Sequence, residues 1–335
     1  MHSIHNGEIW QASRCLALEQ RTAGQVCEKL HSQGYRNSAV ISQTRSIWRR
    51  GSQSVVISLV DDIWDCAVDR SQDTPYLFGA DTTVVTDNWI NCPTVYRVAR
   101  LPDSFYGIYF YQPADQDWQP NRDFTFAVNR LDFKRMRVLL NIDQYLGINH
   151  GYVNFNCEVR GQPPATARQY FIDQLIHAES NEWSQFMKLA NLMPIKNYTI
   201  DHDQTYVSSW LNVIVETYSS DNIVSLSEKI FRCLVTPAPW VAWAGRYCVA
   251  RLRSLGFDVL DDVVNHDYDR LLEAQHKNTA FASNAGAVIT NLKKQNFAEL
   301  KQRCQAAADH NQALLEQMRS SMANDFEQWL SQTFN

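Results

Sequence analysis

In the second half of the chain, Glu216 and the tripeptide Ser227, Glu228 and Lys229 are residue types that suit a phosphate-bearing ligand. Glu216 closes an apolar run, LNVIVETY, that reads as a buried strand, and the tripeptide opens an amphipathic run, SLSEKIFRCLV, that reads as a helix. A helix start presents unpaired N–H groups and the positive end of its dipole, both suited to a diphosphate. Lys229 in the first turn adds a full charge. A carboxylate beside it can accept hydrogen bonds from both hydroxyls of a ribose. The same residues have a purely structural explanation: Ser225 and Glu228 carry the S-x-x-E spacing of a capping box, in which both side chains satisfy the helix's own orphan N–H groups.

Acids stand at the ends of two earlier apolar runs. SVVISLVDD delivers Asp61 and Asp62, followed by Trp64 and Asp65, and TTVVTDNW delivers Asp87 and Trp89. Ligands of open α/β sheets gather at the carboxyl ends of strands, where these carboxylates would stand, although ordinary loop acids look the same. A basic segment, VNRLDFKRMR, supplies Arg130, Lys134, Arg135 and Arg137. Arginine makes planar two-point contacts with phosphate, and a solvated basic face is the plain alternative. Asp62 and Asp65 lack the Asp-x-Asp spacing of a strand-end metal site, and adjacent Asp61 and Asp62 would point to opposite faces of a continuing strand. The nine His form no cluster and the eight Cys no C-x-x-C pair, so no bound metal is expected and the thiols read as reduced core residues.

The elements that must position these side chains follow from periodicity. A helix is expected over residues 12–33, stopped by Gly34, and strands over 37–42 and 54–60, the second buried on both faces of a parallel sheet. QTRSIWRRGS between them reads as a basic loop, and YGIYFY is a further apolar run after TTVVTDNW. DFTFAVNR, the basic amphipathic segment RLDFKRMRVLLNIDQYL, the strand GYVNFNC and a helix over 165–190 come next. Then LNVIVETY, LSEKIFRCLV, PWVAWAG and VARLRSLG alternate as strand, helix, strand, helix, which implies parallel βαβ units with right-handed crossovers. From Tyr268 onward the pattern is helical.

At 335 residues the chain exceeds what one core usually organises, so two α/β domains facing a cleft are expected, over 1–150 and 151–275, with helices over 276–335 folding back across the joint. A net charge of −5 and a pI near 6.0 argue against a surface that attracts polyanions everywhere, and leave room for a local basic patch. No run approaches a membrane helix and the start MHSIHNGEIW is not a secretory signal, so a cytoplasmic protein, monomeric or weakly dimeric, is expected.

The order of Glu216, a polar loop, Ser227-Glu228-Lys229-Ile230-Phe231 and PAPWVAWAG resembles the donor-site signature of α1,3-fucosyltransferases and related glycosyltransferases of the two-domain GT-B type. The resemblance implies a pair of Rossmann-like domains, with Glu228 on the nucleotide ribose, Lys229 on pyrophosphate and an arginine from across the cleft, Arg130 first and Arg137 after it, on the same diphosphate. The loop after Glu216 is two residues longer than in that group, Thr217 stands where asparagine is usual and Ser225 where tyrosine is usual, so base and sugar are not carried over. TDNW, YRVARLPDSFYGIYFYQP, VNRLDFKRM, YVNFNC, NVIVETYSSDN, LSEKIF, TPAPWVAWAGRY and ARLRSLGFDVLDDV, spanning Thr82 to Asp269, resemble glycosyltransferases of tailed bacteriophages.

That class includes enzymes that add glucose or arabinose to 5-hydroxymethylcytosine in DNA. The resemblance therefore implies a UDP-linked sugar as donor, no divalent metal, and double-stranded DNA carrying 5-hydroxymethylcytosine as acceptor. Asp61, Asp62 and Asp87 are then the candidate bases for the acceptor hydroxyl. Arg45, Arg49 and Arg50 are candidate contacts to the DNA backbone. A saccharide acceptor, and a non-catalytic nucleotide-sugar or DNA-binding protein, are the alternatives.

Overall fold

A computed structural model of the chain describes residues 21–42, 45–50, 52–58, 82–86, 89–90, 97–110, 117–128, 133–155, 195–196, 202–216, 223–224, 226–272 and 277–334. Asp61, Asp62, Asp87, Arg130 and the helix expected over 165–190 lie outside the described residues. The protein is a mixed α/β structure with parallel strand pairs in two sheets and a helical carboxyl-terminal segment.

Residues 21–32 form α1, which ends at Gly34 in the left-handed region (φ +84°), a conformation that suits a residue without Cβ. β1 (Arg36–Ser42), β2 (Arg45–Arg50), β3 (Gln53–Ser58), β4 (Thr82–Thr86) and β6 (Arg97–Arg100) make the first sheet, in the order β1-β2-β3-β4-β6. Two expectations are corrected here. Within QTRSIWRRGS, Arg45–Arg50 is a strand rather than a loop, paired antiparallel with both β1 and β3. β3 is buried on both faces, its neighbours Val55 and Val56 each 2% exposed, but its sheet is mixed: antiparallel to β2 and parallel to β4. β5 (Trp89–Ile90) leaves this sheet and pairs with a distant strand described below.

The first part of the apolar run YGIYFY lies in a 3-10 helix, Asp103–Tyr109. Three residues per turn bring Tyr106 and Tyr109 onto one side, where their rings stack on Phe231 at centroid distances of 5.4 and 5.0 Å. Between them, a Cβ on Gly107 would land on the backbone of Arg319 in the last helix. Gly107→Ala is therefore expected to lower unfolding free energy by about 1–3 kcal/mol, measured by chemical denaturation, because two backbones must move apart.

The second sheet has the order β12-β10-β7-β8-β9, from β7 (Arg122–Val128), β8 (Tyr152–Phe155), β9 (Ile195–Lys196), β10 (Ser209–Val215) and β12 (Trp240–Trp243). The pairs β12/β10, β10/β7 and β7/β8 are parallel, and β8/β9 is antiparallel. Residue 150 falls between β7 and β8, two hydrogen-bonded neighbours of this sheet. Alternate strand residues face opposite sides. Val213, Val215, Val241 and Trp243 meet α2 (Phe133–Leu146) and α6 (Lys277–Leu292), while Ile214, Ala242 and Ala244 meet α4 (Glu228–Leu234) and α5 (Cys248–Ser254). α3 (His202–Val207) leads into β10.

The last helix, α7 (Phe297–Thr333), joins both cores. Its first turns put Leu300, Cys304 and Ala307 with α6, and its later turns put Leu315, Met318 and Phe326 with β3, β4 and the 3-10 segment. Asn311 lies between, 1% exposed, donating to the carbonyls of Leu234 and Asp258 and accepting from the Asp258 N–H. No described helix is long and apolar enough to cross a membrane.

Candidate functional site

β10 ends where Glu216 begins, and the Glu216 N–H still donates to the Trp243 carbonyl at 2.9 Å, so the last rung of the β10/β12 ladder fixes its backbone. The side chain then turns to the start of α4. Ser227 is the cap of that helix, extended at φ −110°, ψ 172°, and its hydroxyl accepts from the Lys229 N–H at 3.4 Å. Glu228 and Lys229 are the first helical residues. The cap is thus two residues later than the Ser225–Glu228 capping box requires, and that structural reading of Glu228 is overturned.

The Glu216 carboxylate, 2% exposed, accepts from the Ser227 hydroxyl at 2.8 and 2.6 Å and from the Ser227 N–H at 3.2 Å. The Lys229 ammonium lies 3.9 Å from the same carboxylate and 4.0 Å from that of Glu228. Burial pushes the Glu216 pKa up, opposed by the Lys229 charge and the Ser227 hydrogen bonds. These residues form one chain of contacts: a buried carboxyl holds the helix cap and lies beside an ammonium. Lys229 keeps 22% of its side chain exposed and Glu228 59%, so the cluster opens outward through those two groups.

The rest of α4 explains why this start is held rigidly. Ile230, Phe231, Cys233 and Leu234 are buried, and Arg232 pairs with Asp203 of α3 and lies 5.1 Å over the Tyr206 ring. α4 spans only seven residues, so its dipole is small and the Lys229 charge is the larger electrostatic contribution to any anion there.

The neighbouring helix start is occupied from within. α5 begins after Tyr247, in the left-handed region at φ +69°, and its first N–H groups, from Cys248 to Ala250, meet the Asp269 carboxylate. Asp269 is 4% exposed and its pKa is raised, burial outweighing these hydrogen bonds and the charge of Lys277. Lys277, 3% exposed, donates to the Ala244 carbonyl at 2.7 Å, just past β12. Neither residue was singled out from the sequence. Each reaches the carboxyl edge of the sheet only through tertiary packing, with no motif at fixed spacing to reveal it.

Arg137 lies half-buried in the second turn of α2, which covers the face of the sheet opposite α4, and Arg135 beside it is buried. The structure therefore brings Glu216, Ser227, Glu228 and Lys229 together and leaves Arg137 on a different helix layer. β11 (Ile223–Val224), just before the Ser227 cap, pairs with β5, Val224 opposite Trp89, so the chain after β4 runs beside the lead-in to α4. A separate polar cleft of ≈ 480 Å³ lies between α5, residues 261–270 and α6, lined by Arg253, Asp261, His266, Arg270, Asn284 and Asn291 among others. The four clustered residues do not line it. Among the described residues no group of three or more His, Cys, Asp or Glu is placed to hold a metal ion.

In comparisons with known proteins, no family model matches the chain, and no curated protein does. Among solved structures, the DNA-modifying enzyme β-glucosyltransferase, studied with and without its substrate uridine diphosphoglucose, aligns over 75% of this chain and 67% of its own. The TM-score is 0.38 and the identity 8%. A likeness of that size does not put the chain in that enzyme's family.

Proposed function

We propose that the protein is a nucleotide-sugar-dependent glycosyltransferase of the GT-B type, with the donor diphosphate at Lys229 and the donor ribose at Glu228. The observation that carries this reading is the Glu216–Ser227–Lys229 chain of contacts at the carboxyl end of β10, which orients an ammonium and an exposed carboxylate side by side. The donor-site resemblance of the same residues supports it.

In the reaction, an acceptor hydroxyl oxygen attacks the anomeric carbon and the bond to the diphosphate oxygen breaks with its electron pair staying on phosphate. Lys229 answers the negative charge that grows there. Arg130 is proposed as a further cation on that group, whereas Arg137, on the helix layer opposite α4, is not. Of the candidate bases Asp61, Asp62 and Asp87, the last is the first to test. It stands two residues before Trp89, whose backbone pairs with Val224 beside the Ser227 cap. The acceptor we propose is the hydroxymethyl group of 5-hydroxymethylcytosine in duplex DNA, with glucose or arabinose from a UDP-linked donor, and the base swung out of the stack to reach it. This part rests on the likeness of the Thr82 to Asp269 phrases to phage glycosyltransferases.

Mass spectrometry of DNA after incubation with a panel of UDP and GDP sugars tests both parts. The expected result is a mass gain of one pentose or hexose on hydroxymethylcytosine DNA and none on unmodified DNA. Equal incorporation removes the hydroxymethyl group as acceptor, absent incorporation removes DNA, and absence of transfer to a saccharide panel as well removes the enzyme.

A further inference from the structure

Between Glu28 and Asp61 the chain holds five Lys and Arg and not one acid, although its net charge is −5. Four of the five, Arg36, Arg45, Arg49 and Arg50, stand on the β1–β2 ribbon at the edge of the first sheet. Arg36 is directly opposite Arg49 in the ladder, and both are exposed. Residues so paired share one face of the ribbon with Cβ atoms about 5 Å apart, and like charges directly opposite destabilise it. The ribbon has no carboxylate to offset them. The Arg36 side chain donates one N–H to the Tyr35 carbonyl at 3.2 Å, and the Arg49 side chain makes no hydrogen bond or ion pair among the described residues. Arg50, next along the strand, lies 4.7 Å over the Tyr35 ring and donates to the Gln33 carbonyl and the Gln53 side chain.

An edge strand needs a charge to discourage pairing with another chain, but one well-placed charge does that. A facing pair of arginines in an acid-free run exceeds it. Such a pair becomes favourable against a dense line of negative charge, and duplex DNA carries about one per 1.7 Å of its axis. We infer that the β1–β2 ribbon is a docking surface for duplex DNA, with Arg36 and Arg49 set against its phosphates. The choice of DNA among polyanions rests on the acceptor reading above.

The test is binding of a short fluorescent duplex of unmodified DNA by anisotropy, without donor, between about 50 and 200 mM salt. The unaltered protein should lose affinity linearly on logarithmic axes. The double variant R36Q/R49Q should bind about 10- to 100-fold more weakly at low salt with a slope shallower by about 2, whereas R36K/R49K should keep the slope. Lys294→Gln, an exposed cation on the turn after α6, should change nothing. An unchanged slope in R36Q/R49Q overturns the inference. So does an unaltered protein that ignores DNA, or one whose arginine pair governs binding to phosphatidylserine vesicles and leaves DNA binding untouched. Because binding is read without a sugar donor, DNA binding here combined with no transfer in the mass-spectrometric assay would count against the enzymatic reading and leave this one standing.

Discussion

Lys229→Ala should lower kcat by about 100- to 1000-fold, because a preorganised donor of positive charge to a leaving group is worth that much in other enzymes. The helix start around it is too short to substitute, and Ser227 already has its hydroxyl and N–H committed to Glu216. Affinity for free UDP should fall as well, by about tenfold, since the same contact exists with the product diphosphate. The fold should survive. The ammonium is partly exposed, and Ser227 continues to cap α4 and to satisfy the Glu216 carboxylate. Loss of the cation also removes one of the influences that hold the Glu216 pKa down, so that group should titrate still higher in the variant. Steady-state kinetics and calorimetric UDP titration measure both effects. A variant with unaltered kcat/KM would mean that Lys229 is an ornament of the Glu216 cluster and that the diphosphate, if any, lies elsewhere.

The order β10, α4, β12, α5 was legible because each element carries a local signal that tertiary packing does not contradict. Val213 to Val215 and Trp240 to Trp243 are continuous apolar runs buried on both faces, and Gly256 takes the left-handed position (φ +93°) that stops α5. Register within those signals was harder to read. Ser225 and Ser227 are both good caps, and only the approach of Glu216 to the second one decides between them. Failures came where distant parts of the chain set the conformation. YGIYFY reads only as an apolar run, because its 3-10 turn is set by Gly107, which lets α7 approach, and by Tyr106 and Tyr109, which cover Phe231. The stretch around Arg45–Arg50 reads as a polar loop because its arginines hide a strand that forms only once β1 and β3 flank it. Asp269 and Lys277 reach the edge of the sheet through contacts 19 and 33 residues away in sequence, distances at which no single-chain pattern speaks.

Glu216→Gln should separate function from stability at this site. Burial is the larger influence on the Glu216 carboxyl and raises its folded-state pKa above the unfolded value near 4.5. A group shifted that way stabilises the fold fully below the unfolded pKa, and that contribution is lost as pH rises through the folded pKa. Glutamine does not titrate, so the unfolding free energy of the Glu216→Gln variant minus that of the unaltered protein should climb as pH rises from about 4.5 and level off above the folded pKa. Its amide oxygen can still accept from Ser227, so the cap should persist, but the attraction that sets Lys229 beside it is gone. Activity should therefore fall by about 10- to 100-fold at neutral pH even as the variant holds or gains stability. A buried acid that weakens the fold as pH rises has a physical reason to stay only if it is used, and here the nearest use is positioning the Ser227 cap and the Lys229 ammonium beside it. If denaturation curves across pH show the opposite trend, or the variant transfers sugar at the normal rate, Glu216 is a structural acid and the site loses its anchor.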